Sequence, residues 1–136
     1  MTTAIVTDST SDIPEYLREQ LNIHVIPAIL IIQGKSYLDG EGISREEFYT
    51  KLPGMNESPT TASPSIEAFK SIYNELFSKG FSEILSIHLP ELLSGIVNTA
   101  RIAAEEFGEQ VKVIDSGQIS MGLGFQVIEA ARAASA

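Results

Sequence analysis

Apolar residues along the chain recur with two periods, and the alternation between them outlines the fold. "TAIVTD" (Thr3 to Asp8) is a β-branched run that predicts a first strand. Asp12 with Glu15 three residues on, and Pro14 between them, predicts a helix that runs to about Leu21. "HVIPAILIIQ" (His24 to Gln33) predicts a second strand. Pro27 removes one ladder donor, which places an edge, a bulge or a strand beginning there. "QGKSYLDG" predicts a turn and a short returning strand. Ser44 with Glu47 repeats the capping-box pattern for a short helix ending near Leu52.

"PGMNESPTTASPS" (Pro53 to Ser65) is the longest polar stretch, rich in Pro and Gly. Long loops in compact domains are more often functional than short ones. Ser63-Pro64 then opens a helix whose apolar residues, Ile66, Phe69, Ile72, Tyr73, Leu76 and Phe77, share one face, and Gly80 stops it. "SEILSIHL" (Ser82 to Leu89) predicts a strand. A helix follows from about Ser94 to Phe107, stopped by Gly108, then the strand "VKVID" (Val111 to Asp115). "SGQISMGLG" (Ser116 to Gly124) leads into a last helix.

Strands alternating with helices predict an α/β fold: one three-layer domain over residues 1–136, with a mostly parallel sheet flanked by helices. In such sheets ligands sit outside the carboxyl ends of the strands. That rule gathers Asp8 to Asp12, His88 to Ser94 and Asp115 to Ser120 at one crevice, which the Thr60 to Ser65 loop can also face.

Composition narrows the partners. The formal net charge is -9, and the 9 Lys and Arg residues are scattered, which argues against nucleic acid or an anionic membrane as a partner. With no cysteine, disulfides and thiolate zinc sites are excluded. The N-terminus lacks a basic segment followed by an apolar one, so it does not read as a secretory signal. The longest apolar run, Val25 to Ile32, is too short to span a bilayer.

Three chemistries compete for the polar loops. Ser94 as a nucleophile lacks the strand-to-helix GxSxG context, because its surroundings read "LLSGI"; His88 is the base on offer, with Asp115 to orient it. "DSTSD" with Asp39 offers Asp8, Asp12 and Asp39 to a divalent cation, while the same side chains also suit a turn and a helix cap. Neither a Walker loop nor a dinucleotide fingerprint occurs, and "SMGLG" lacks GxGxxG. The third chemistry is an anion at a helix start. The Ser94 hydroxyl and the N–H groups of Gly95 and Ile96 would face the ligand, with Thr60, Thr61 and Ser65 at a second helix start. Gly95 would let an oxygen approach the backbone. Capping alone accounts for each feature separately, so both readings stand.

Taken in order, five stretches resemble the DegV family of bacterial fatty-acid-binding proteins: "TDSTSD" (Thr7 to Asp12), "HVIPAILIIQGKSYLDG" (His24 to Gly40), "TASPS" (Thr61 to Ser65), "IHLPELLSGIVNTA" (Ile87 to Ala100) and "VIDSGQISMGLG" (Val113 to Gly124). The resemblance covers the whole chain. It implies a DegV-like N-terminal domain of a longer two-domain protein, whose second domain closes a lipid tunnel. It further implies a cytoplasmic lipid carrier and not an enzyme, with a bound fatty acid in place of any cofactor. Thr61 and Ser94 would anchor the carboxylate, with Gly95, Ser63 and Ser120 as further ligand-binding residues. A separate fatty-acid kinase would phosphorylate the presented carboxyl group. The chain departs from the family pattern at Ala28, Ala62, Ser63, Pro90, Glu91 and Ile96, and Glu91 brings a negative charge near the expected carboxylate. The other class is a cation-dependent or serine-based small-molecule enzyme, using the Asp8–Asp12 loop or Ser94.

Overall fold

The structure, a computed structural model, describes residues 2–136. Its strands are β1 (Thr3–Asp8), β2 (Ile23–Ile26), β3 (Ile29–Ile32), β4 (Lys35–Leu38), β5 (Thr60–Ala62), β6 (Glu83–His88) and β7 (Val111–Asp115). Its helices are α1 (Glu15–Gln20), α2 (Arg45–Lys51), α3 (Ile66–Ser78), α4 (Ile96–Ala104) and α5 (Ser120–Ser135).

Four strands form a wholly parallel sheet in the order β2-β1-β6-β7. The chain moves one way from β1 to β2 and the other way from β6 to β7. Right-handed crossovers therefore put α1 on one face and α3 and α4 on the other. α3 and α4 pack on each other over β6 and β7, and α5 packs on β1, β2 and β6. The three-layer α/β arrangement predicted from the strand–helix alternation is the observed one. Buried aliphatic residues of the central strands, including Ile5, Val6, Ile84 and Ile87, join Phe69, Tyr73 and Leu76 of α3 and Leu123, Val127 and Ile128 of α5 in one core.

The expected His24–Gln33 strand is instead two strands in two sheets. β2 runs parallel to β1, whereas β3 belongs to a separate antiparallel sheet of order β4-β3-β5. Pro27 and Ala28 form the junction, and the Ala28 N–H leaves the ladder to donate to Ser9 Oγ at 3.0 Å. β3 and β4 form a hairpin across Gln33 and Gly34, whose φ angles of 49° and 77° match the twist that two-residue hairpins need. The polar stretch from Pro53 to Ser65 is not structureless either, because β5 pairs with β3 and sets Thr61 opposite Leu30.

Helix starts are partly as predicted. Ser44 caps α2 by accepting from Glu47 N, and Ser65, not Ser63, caps α3 by accepting from Ala68 N. Asp12 does not cap α1, which follows Pro14 with no side-chain cap. Its backbone is left-handed (φ 53°), and its carboxylate is bound by Arg45 and by Ser120 Oγ.

Gly124 lets α5 ride against the 9–12 turn: a Cβ there would stand 2.6 Å from the Ser11 carbonyl oxygen. Gly124→Ala is expected to destabilise the fold by about 1–3 kcal/mol through overpacking. Thermal melting checks this, and an unchanged midpoint would show that the contact gives way freely.

Candidate functional site

The sheet reverses its winding between β1 and β6, and a crevice opens beyond the carboxyl ends of strands at such a point. The 9–12 turn follows β1, and the 89–95 segment follows β6. The loop after β7 joins them: Ser116 N donates to the His88 carbonyl at 3.0 Å, and Asp115 Oδ2 accepts from Glu91 N at 3.0 Å. Ser120 Oγ donates to Asp12 Oδ2 at 2.7 Å. The three loops expected at one crevice are thus tied to one another.

Ser94 lies at the end of a tight turn in which Leu93 N and Ser94 N both donate to the Pro90 carbonyl. Its hydroxyl accepts from Ile96 N at 3.2 Å, so it satisfies a first-turn donor of α4 from one position ahead of the capping residue, Gly95. Gly95 is exposed, and nothing stands within 4 Å of where its Cβ would be. An oxygen can therefore approach this backbone. Ile96 turns into the core at 3% exposure, so the residue after Leu-Ser-Gly faces away from the crevice.

Ser63 connects this helix start to the second one. Its Oγ lies 3.1 Å from Thr99 Oγ1, and the Thr99 hydroxyl donates to the Gly95 carbonyl at 3.1 Å. The segment after β5, two residues beyond Thr61, is thereby tied to the first turn of α4, which Ser94 and Gly95 precede. Thr61 is exposed, and among the described residues its hydroxyl has no hydrogen bond. Ser120 stands apart from these four, with its proton given to Asp12. Glu91 does not confront the site with a bare charge. Its carboxylate accepts from Asn98 Nδ2 at 3.1 Å and from Arg101 Nη1 at 3.3 Å, both on α4.

The residues weighed for catalysis and metal binding are arranged differently from expectation. Asp115 does not orient His88; its oxygens accept from Glu91 N and Gly117 N, and these bonds hold its carboxyl below the usual range. The partner of His88 is Asp8, from the neighbouring strand on the other side, with Nδ1 to Oδ2 at 2.8 Å. His88 Nε2 lies 2.7 Å from Ser86 Oγ, and the Tyr73 hydroxyl donates to the same Oγ at 2.8 Å. Asp8 Oδ1 accepts from Thr10 N at 2.9 Å and from Thr10 Oγ1 at 2.5 Å.

The hydrogen-bond geometry assigns the protons of this chain. An ionised carboxylate is acceptor only, so His88 Nδ1 carries the ring proton; Tyr73 donates to Ser86, so Ser86 donates to Nε2. Burial pushes the Asp8 carboxyl up, but the His88 contacts and the two Thr10 bonds outweigh it and hold it below its ordinary 3.8. Tyr73 is pushed up to about 12, by burial against a smaller opposing effect of Ser86. The order Ser86–His88–Asp8 is that of a hydrolytic triad, yet all three side chains are fully buried. Sequence reasoning missed Ser86, whose only sign was its place in the strand two residues before His88.

Asp12 and Asp39 both lie on Arg45, beside a cavity of about 410 Å³ also lined by Arg18. Asp8 points into the core, so the three carboxylates of the cation reading are not gathered. Among the described residues no cluster of three or more His, Cys, Asp or Glu side chains is placed to hold a metal. Among them, too, no helix is long and apolar enough to cross a membrane.

Known proteins share this arrangement over the whole chain. The family model for DegV, described as an uncharacterised protein family, matches residues 2–136. A DegV domain-containing protein of Staphylococcus aureus (strain COL) is 49% identical over 123 residues, covering 90% of this chain and 43% of the relative. A DegV family protein from Thermus thermophilus, described by its fatty acid binding, superimposes with a TM-score of 0.89 at 38% identity, over 97% of this chain and 47% of that one. DegV from Bacillus subtilis, described as a fatty acid binding protein, gives 0.90 at 34% identity, over 97% and 47%. The chain therefore spans less than half the length of these relatives, and it belongs to the DegV family.

Proposed function

We propose that this chain supplies the carboxylate-binding half of a fatty-acid site. The observation that supports the reading is the Ser63–Thr99–Gly95 link, which ties the segment just after β5, two residues beyond Thr61, to the start of α4. A carboxylate there would take hydrogen bonds from Thr61 and Ser94 and the positive end of the α4 dipole at Gly95. Ser63 holds the two helix starts together, and Ser120 contributes through the loop that it closes on Asp12. The descriptions of the Thermus and Bacillus relatives support this ligand class.

The acyl tail would lie on apolar surface next to the head group. Leu92, 95% exposed, and Leu93, 64% exposed, lie in the segment just before Ser94 and offer apolar surface to it. The remaining length of the relatives would cover that surface as a second domain. The bound carboxyl group would be presented to a separate fatty-acid kinase, and the protein would act as a cytoplasmic carrier without a cofactor and without catalysis of its own. Burying a sixteen-carbon tail at about 0.8 kcal/mol per methylene gives on the order of 10 kcal/mol before ordering losses. A hydrogen bond to a charged carboxylate gives about 1.5–3 kcal/mol. The tail thus drives affinity, and the hydroxyls set orientation.

Mass spectrometry of an organic extract of the purified protein, carrying the second half found in its relatives, should show a co-purified long-chain fatty acid. An extract free of lipid, with no shift in melting on adding fatty acid, would remove the reading.

A further inference from the structure

The buried chain from Tyr73 to Asp8 reaches both proposed anchors. His88 is the last residue of β6, and five residues separate it from Ser94; its carbonyl also accepts the Ser116 N–H. Through Nδ1 it holds Asp8, whose other oxygen organises the 9–11 turn by way of Thr10. Ser9 in that turn accepts from Ala28 N, which fixes the start of β3, and β3 pairs with β5 to set Thr61 opposite Leu30. One side runs from the ring to Ser94 along the chain. The other runs from the ring to Thr61 through three hydrogen-bonded links, His88–Asp8, Asp8–Thr10 and Ser9–Ala28, and a strand pairing.

We propose that His88 is a positioning residue for the carboxylate site. Its ring, locked between Ser86 and Asp8, sets the separation of the Thr61 and Ser94 hydroxyls without touching the ligand. The ring is suited to this because its two nitrogens differ: one must donate to a carboxylate and the other must accept from a hydroxyl. A substitution that keeps the volume but not this donor–acceptor polarity shifts the 9–11 turn relative to β6. This inference rests on the carboxylate reading of Thr61 and Ser94.

The test uses ¹⁵N-labelled protein carrying the second half found in its relatives, imidazole spectra and titration with octanoate and methyl octanoate, read at the amides of Thr61, Ser94 and Gly95. In the wild type at pH 7.5, the protonated ring nitrogen of His88 should be Nδ1. In His88→Gln the free-state amide signals of both Thr61 and Ser94 should move, and octanoate affinity should fall about fivefold to tenfold while the response to the ester is unchanged. Should His88→Gln fail to fold, Ser86→Ala, which removes only the donor to Nε2, carries the same expectation with a smaller fall. A proton on Nε2 would overturn the inference. So would a folded variant whose Thr61 and Ser94 signals and octanoate affinity match the wild type. If the wild type binds octanoate no better than its ester, the carboxylate reading fails. The ring tautomer and the movement of the two free-state amide signals still decide whether His88 positions them.

Discussion

Asp8→Asn is expected to lower the midpoint of thermal unfolding by roughly 10–20 °C, the shift that follows from losing about 3–5 kcal/mol in a chain of this size. The carboxylate accepts from His88 at one oxygen and from Thr10 twice at the other, and it is fully buried. An amide offers one oxygen and one NH₂, so one of the two donor groups must meet another donor. The imidazole cannot relieve this by moving its proton, because Nε2 is already filled by the Ser86 hydroxyl and Ser86 by Tyr73.

The pH dependence gives an independent check. The Asp8 carboxyl is depressed in the fold, so the stability it contributes is complete above the ordinary carboxyl value of 3.8 and is lost as pH falls through the lower folded value. Part of the acid unfolding of the wild type should therefore vanish in Asp8→Asn, measured as a flatter dependence of melting midpoint on pH below about 4. A variant with the wild-type midpoint and acid profile would show that the buried chain is not ionised as assigned.

The second large effect is expected at the anchors. Thr61→Ala and Ser94→Ala should each weaken binding of a fatty acid by roughly tenfold or more, corresponding to about 1.5–3 kcal/mol for one bond to a charged carboxylate. Both hydroxyls serve one group, so the double variant should lose less than the sum of the two. The stability effects should separate them. Ser94 also accepts from Ile96 N, and its loss should lower stability by about 1 kcal/mol. The Thr61 hydroxyl has no intramolecular hydrogen bond among the described residues, so its loss should leave melting nearly unchanged. The methyl ester keeps the tail and lacks the charge. Titration of acid and ester, in protein carrying the second half found in its relatives, reads both effects together. Equal binding of acid and ester, unmoved by either substitution, would reduce both hydroxyls to local backbone partners.

Local signals in the sequence located most elements. Ser44 with Glu47 marked α2, the apolar face from Ile66 to Phe77 marked α3, and the β-branched runs marked β1 and β7. What the sequence hid was non-local. The apolar run through Pro27 looks continuous, because a change of sheet alters the partners of a strand and not its composition. β5 is three residues in a polar stretch, and it exists because β3, some thirty positions earlier, offers it a free edge. Asp12 sits where a cap belongs, yet Arg45 and Ser120 compete for it successfully. His88 has a strand neighbour on each side with an acidic residue at the matching height, Asp115 on β7 and Asp8 on β1, and nothing local distinguishes them. The proposed anchors Thr61 and Ser94 were legible as hydroxyls near helix starts, whereas the Ser63–Thr99 bond linking the segments that follow them was not.

The two proposed anchors belong to sheets of unequal robustness. Ser94 follows a central strand of the four-stranded sheet, while Thr61 lies on β5, a three-residue edge strand held on one side only. Short edges with solvent-exposed hydrogen bonds open locally at a small fraction of the global unfolding free energy. Amide exchange at β5 should therefore run ahead of exchange at β1 and β6. A bound head group would be released when this small sheet frays, so the residence time of the ligand would be governed by the opening rate of β5 while the rest of the protein stays folded.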